Sequence, residues 1–170
     1  KGNPNYEYRQ KGKQATLSCG YGGGVGALKA MGAKMPEEEM QPLVDAWRAA
    51  NPNIVAFWSA LDRAARTVIR RKTSARVGKV ALYWQDDKMF MRLPSGRNLC
   101  YQSPHFTENR FGNDAIGYYA PNAAGQMVVQ ETFGGKLAEN ATQAIARDIL
   151  AHALLTLEKN GYPVVFHVHD

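Results

Sequence analysis

Apolar residues change their period twice along the chain, and the changes divide it into three parts. In the first part the period is helical. Met40, Leu43, Val44 and Trp47 fall at i, i+3, i+4 and i+7, and Ile54, Phe57, Trp58, Leu61, Ala65 and Val68 continue a second stripe. Pro36 followed by Glu37, Glu38 and Glu39 marks a helix start, since proline suits the first turn and carboxylates suit the positive end of the helix dipole. Asn51-Pro52 ends one helix and opens the next, which predicts an antiparallel pair across a short turn. Trp47 and Trp58 sit inside apolar stripes and are read as core residues.

The second part alternates with a period of two. Val80, Leu82 and Trp84 precede Asp86-Asp87, and Met89, Met91 and Leu93 follow, the pattern of a hairpin with its turn at the aspartates. Paired aspartates at such a tip are turn-formers before they are metal ligands. Pro94-Ser95-Gly96-Arg97 turns the chain again into a short strand, Leu99-Cys100-Tyr101. A polar surface loop is expected from Gln102 to Asn113, with His105 unassigned, and two further strands near Tyr118 and Val128. The third part returns to helical composition from about Lys136 to Lys159. Leu137, Ala141, Ile145, Ile149 or Ala153, and Leu157 trace its buried side; Asn140, Gln143 and Arg147 share another, and His152 is read as packed. Gly161-Tyr162-Pro163 then opens a strand from Val164 to His169. The fold class is α+β: a mostly helical region, a small antiparallel β region, a long helix and a final strand.

Length and composition narrow the class. A chain of 170 residues that is 45% hydrophobic can bury a core, and its length fits one domain. A net charge of +6 favours a polyanionic partner. Two cysteines, Cys19 and Cys100, make no disulfide framework and suggest a reduced, intracellular protein. No long apolar run or signal-peptide pattern is present, so neither membrane nor secretion is indicated.

The stretch with the most chemistry is Arg9 to Gly22. Arg9, Lys13, Leu17 and Tyr21 recur every four residues and share one side of a helix. Two cations followed by an apolar and an aromatic surface suit a nucleotide, charge for the phosphates and flat contact for the base. The same spacing also describes a solvated basic helix with Ala15 and Leu17 toward the core. The glycines after Tyr21 follow a helix rather than a strand, so they read as a helix stop and turn, not a dinucleotide fingerprint. No Walker-type Gly-x4-Gly-Lys-Ser/Thr exists, which excludes a P-loop. On the second predicted helix, Arg63, Arg66, Arg70, Arg71 and Lys72 form a basic end that either complements the helix dipole or touches a nucleic-acid backbone.

Arg-x3-Lys-x7-Tyr-Gly, set on Arg9, Lys13, Tyr21 and Gly22, resembles the nucleotide-binding helix of the fingers in family A (polymerase I-like) DNA polymerases. Val168-His169-Asp170 resembles the start of that family's palm motif Val-His-Asp-Glu. Between them, Gly134 to Asn140 and Gln143 to Asp148 resemble the helix leading into the motif in phage and prophage members. The resemblance spans nearly the whole chain.

It implies a template-directed DNA polymerase that transfers a deoxynucleotidyl group from a dNTP to a primer 3′-hydroxyl, using two magnesium ions. By resemblance Arg9 and Lys13 bind the triphosphate, with Lys13 also placed to protonate pyrophosphate, and Leu17 and Tyr21 lie against the nucleotide. Asp170 binds metal. Arg97, Lys136, Asn140, Gln143 and His169 contact primer-template DNA. Residues 1–135 correspond to fingers with an inserted β-rich region at 79–130, and 136–170 lead into the palm. Only eight residues precede Arg9, where the first palm motif would stand, so the resemblance implies a fragment, inactive in isolation, of a monomeric enzyme of a bacterial host's cytoplasm. Leu17 stands where many members have an aromatic residue against the incoming sugar. Single-subunit phage-type RNA polymerases share the first and last motifs, and a non-catalytic nucleic-acid-binding module is the alternative from another class.

Overall fold

The computed structural model describes residues 4–109 and 112–168. Five helices and one sheet follow in the order α1 (Tyr6–Cys19), α2 (Val25–Ala30), α3 (Glu37–Ala50), α4 (Pro52–Arg71), then β1 (Ser74–Val77), β2 (Val80–Gln85), β3 (Lys88–Arg92), β4 (Asn98–Glu108), β5 (Asp114–Pro121), β6 (Met127–Thr132), and last α5 (Gly134–Lys159). The six strands form one antiparallel meander in chain order. The fold is α+β, as the periodicity implies.

Helices α4 and α5 cover one face of the sheet. The main core joins Leu61, Ala65 and Val68 of α4 to Leu82, Met89 and Met91 of the sheet and to Leu137 and Ala141 of α5. A second cluster joins Cys19, Leu28, Met40 and Val44, so the buried side of α3 is turned toward α1 and α2. Trp47 packs against both clusters. Its ring lies parallel to that of Trp58, 6.1 Å away; Trp58 is buried in the core, and Trp47, half-buried, packs against it at the α3–α4 junction.

Trp58 does more than stack. Its indole Nε1–H donates to the carbonyl of Gly20 at 3.1 Å, tying α4 to the end of α1. Gly134 and Gly135, the first residues of α5, press against the same place. A side chain on Gly134 would meet the carbonyl of Trp58, and one on Gly135 would meet the carbonyl of Tyr21. Only hydrogen at Cα permits this approach. The Asp62 carboxylate of α4 accepts the backbone N–H of Gly134 at 3.1 Å, giving the start of α5 its acceptor and its negative charge.

The predicted hairpin is present, with Asp86 and Asp87 both at positive φ (49° and 58°). That is the conformation a two-residue turn between twisted strands requires. The Asp87 carboxylate accepts the Ser103 hydroxyl at 2.9 Å, so it latches the hairpin to β4.

Several expectations are corrected. The polar run from Gln102 is not a loop but the continuation of β4 through Glu108. A bulge between Gln102 and His105 absorbs Pro104, which has no N–H to give the ladder. Strand β1, before the expected β region, and the short helix α2, after the glycines, were not foreseen. Helix α1 ends at Cys19, which leaves Tyr21 in the turn that follows. The buried side of α5 stops near Ile145. Beyond it Ile149 and Leu157 are exposed, as is His152, so none of the three is packed. Residues 162–168 are not a strand, and Val165 is 97% exposed. Among the described residues they have no neighbouring strand to accept their ladder bonds. His169 and Asp170 lie outside the described residues.

Trp58→Phe keeps an aromatic ring but removes the bond to Gly20, and should lower stability by about 1 kcal/mol in urea unfolding. Trp58→Ala also empties the core and should lower it by about 3–5 kcal/mol. Equal, small losses would show that the indole is not a junction.

Candidate nucleic-acid interface

Helix α1 buries Ala15, Ser18 and Cys19 and leaves Arg9, Lys13 and Leu17 exposed. The Arg9 and Lys13 side chains form no ion pair or hydrogen bond with other described residues. Burial pushes the Cys19 thiol above its ordinary range, opposed by the nearby Arg48 charge, so this cysteine is a core residue rather than a nucleophile.

Leu17 and Tyr21 open onto a cleft of about 610 Å3, walled by Trp47, Phe57 and Trp58 and closed on the far side by Ala138 and Thr142 of α5. The cleft is apolar, with flat aromatic walls. Lys13 and Arg9 stand about 6 and 12 Å further back along the helix axis from Leu17, at 1.5 Å per residue. A ligand with a planar apolar part and a polyanionic tail would find its two halves served in that order.

On its other flank α5 borders a second groove, of about 640 Å3, against the sheet. Three of the expected DNA contacts, Arg97, Asn140 and Gln143, line it together, with Arg147 and the phenols of Tyr101 and Tyr118. Lys136 is not among them; its amine lies 3.5 Å from the Glu131 carbonyl, at the start of α5. Gln143 is exposed and, among the described residues, bonds only to Glu139, one turn back, at 3.2 Å. Asn140 donates its amide to the Tyr101 hydroxyl at 3.0 Å. Burial, more than this bond, governs that phenol and pushes its pKa up to about 12, so it stays protonated and fixes the Asn140 amide.

Arg97 is held rather than free. Its Nε–H donates to Asp148 at 2.7 Å and its terminal N–H to the Ala144 carbonyl at 2.8 Å, fastening the β3–β4 turn to α5. The Ser95 hydroxyl donates to the same carboxylate at 2.6 Å. The basic end of α4 is also largely engaged. Arg66 pairs with Asp62 at 2.7 Å and reaches the Asp114 carbonyl, Arg70 lies over Phe106 at 5.3 Å, and Lys72 lies over Trp84 at 3.1 Å.

Among the described residues no three His, Cys, Asp or Glu side chains converge to hold a metal ion. Asp170 lies outside them. No described helix is long and apolar enough to cross a membrane.

The chain is similar to a phage DNA polymerase. Over 176 aligned positions it is 43% identical to the DNA polymerase of Bacillus phage SP02. The match takes in all of this chain and 26% of that polymerase, so the chain spans about a quarter of its length. No family model matches the chain, and no solved structure matches it. The cleft residues Phe57 and Thr142 and the groove residue Tyr118 were not singled out from sequence. Phe57 and Tyr118 were read only as stripe and strand residues; the three come from separate elements, and nothing local marks them for a site.

The Ser95 hydroxyl, then the Arg97 guanidinium, hold the Asp148 carboxyl below its ordinary range. A depressed folded-state pKa adds stability that is complete above the unfolded value, about 3.9, and is lost as pH falls through the folded one. Melting of the chain and of Asp148→Asn, compared from pH 7 to pH 2, should differ by a constant amount above about pH 5 and converge below. A difference that grows on acidification would contradict the tether.

Proposed function

We propose that this chain is part of a template-directed DNA polymerase of the family A (polymerase I-like) type, comprising fingers at 1–135 with the sheet inserted, and the approach to the palm at 136–170. The observation that carries the reading is the cleft in which Leu17 and Tyr21, at the end of a basic helix, meet Thr142 of α5. The likeness over the whole chain to a phage DNA polymerase supports it and gives no support to the RNA-polymerase alternative.

In this reading the incoming dNTP lies along α1. Arg9 and Lys13 neutralise its triphosphate, and the base and sugar rest on Leu17 and Tyr21 at the mouth of the aromatic cleft. The primer 3′-oxygen attacks the α-phosphorus and the bond to pyrophosphate breaks. Lys13, beside the leaving oxygens, gives the departing pyrophosphate a proton. The charge of two cations fixed on one helix stabilises what accumulates on the phosphates. On the far side of α5, Gln143, Asn140 and Arg147 meet the primer-template through sequence-tolerant contacts in a shallow groove. Arg97, committed to Asp148 and Ala144, serves chiefly to shape that groove. Magnesium is the cofactor the resemblance implies, with Asp170 as this chain's carboxylate; the described residues alone do not form its site, and no role given to Arg9, Lys13 or Gln143 depends on it.

In the full-length parent, Lys13→Ala should lower nucleotide incorporation by roughly a hundredfold or more, the scale of general acid catalysis, with little change in primer-template affinity. Gln143→Ala should do the reverse, weakening primer-template binding at an unchanged melting temperature. If Lys13→Ala instead abolishes DNA binding and leaves dNTP affinity intact, the assignment of α1 is wrong.

A further inference from the structure

Helices α4 and α5 cover one face of the sheet, and every large apolar strand residue of the main core points to that face. Among the described residues the opposite face carries no helix. Strand register places Tyr83 of β2, Phe90 of β3 and Cys100 of β4 side by side on it, since directly paired residues share a face. The Tyr83 and Phe90 rings stack at 5.3 Å with 20° between their planes. Along β3, Lys88 and Arg92 stand two residues to either side of Phe90, hence on the same face. A second ring pair, His105 and Tyr119, lies on the same face at 6.0 Å. Gly117 makes room for it, because a side chain there would press on the His105 ring. Across two strand spacings and one two-residue step, Phe90 and Tyr119 are about 12 Å apart. Glu131 is the one acid at a strand position of this face among the described residues.

We propose that this open face of the sheet binds single-stranded DNA, with bases stacked at the Tyr83–Phe90 pair and at Tyr119, and with Lys88 and Arg92 on the phosphates. Neither cation is paired with an acid among the described residues, in contrast to Arg66 and Arg97. Half-buried rings at Tyr83 and Phe90 and an exposed one at Tyr119, interleaved with unpaired cations, suit unpaired bases, whose faces are accessible; duplex bases offer none. Two ring sites about 12 Å apart are too distant for one base and serve successive parts of one strand. The choice of DNA rests on the polymerase reading, in which an unpaired template must run past the enzyme. The stacking and the charge stand without that reading.

The chain carries its own reporter. Cys100 is exposed beside Phe90, whereas Cys19 is buried. The rate of alkylation of Cys100 by a maleimide, measured on the 170-residue chain, should fall several-fold with saturating oligo-dT at low salt. Cys100 also lines the α5 groove, so duplex held there protects it as well; single-strand protection, unlike duplex protection, should be lost when Tyr83 and Phe90 are both replaced by Ala. Replacing Tyr83 and Phe90 by Ala together should weaken oligo-dT binding roughly tenfold to a hundredfold, the range for loss of one stacked base. Lys88→Gln with Arg92→Gln, a half-buried and an exposed position outside the core, should reduce the salt slope of binding by about 1.4, two phosphate contacts on a single strand. Unchanged alkylation with single strand present would overturn the proposal, as would single-strand protection that survives the double alanine replacement. Protection by single-stranded RNA alone would overturn the assignment to DNA and count against the polymerase reading while sparing the face. A Lys13→Ala parent with normal incorporation would count against that reading and leave Cys100 protection unaffected.

Discussion

One close approach sets the arrangement of the helices around the aromatic cleft. The first two residues of α5 lie against the backbone of Trp58 and Tyr21, where only glycine fits. Trp58 holds that place from the other side, stacked on Trp47 and bonded to Gly20. Four helices thus meet around one indole and two glycines. A contact between backbones is stiffer than one between flexible side chains, because nothing at its centre can rotate away. The consequence is positional: the exposed side of α1 and the polar sides of α5 are set relative to each other by atoms that touch no ligand.

That arrangement separates cations that build the fold from cations left over. Arg66, Arg70, Lys72 and Arg97 are each spent on a carboxylate, a carbonyl or a ring. Arg9 and Lys13, and on the open sheet face Lys88 and Arg92, form no ion pair with described residues. Net charge alone cannot draw this distinction, since all count equally toward +6. Geometry draws it: Lys88 and Arg92 flank the Phe90 ring on β3, and Arg9 and Lys13 share a helix with Leu17.

Local signals in the sequence were sound where one element decides the outcome. The stripes of α3 and α4 are periodic because one side of each is buried, and Asp86-Asp87 marks a turn because those residues tolerate positive φ. Reading failed where the deciding partner is remote. The polar run containing Pro104 and His105 looks like a loop, yet β5 holds it as strand through a bulge. The apolar spacing of α5 continues past Ile145 although the core does not. Residues 164–168 alternate like a strand but gain no ladder among the described residues. The spacing of Arg9, Lys13 and Leu17 was legible because a helix repeats, while Tyr21 proved to lie beyond its end. The convergence of Leu17 with Phe57 and Thr142 was not legible, because it depends on how three helices cross.

The dependence of the nucleotide face on the glycine junction is open to direct measurement. Gly135 touches neither of the surfaces proposed for the triphosphate, yet a methyl group there must push the Tyr21 turn away from α5. The informative quantity is the KM for dNTP of the full-length parent carrying Gly135→Ala, measured with a variant shown to be folded and to bind primer-template normally. A KM raised several-fold at near-normal DNA affinity is the result the junction predicts. An unchanged KM in a folded Gly135→Ala enzyme would mean that α1 presents its cations independently of α5, and the central role given to the junction would be wrong.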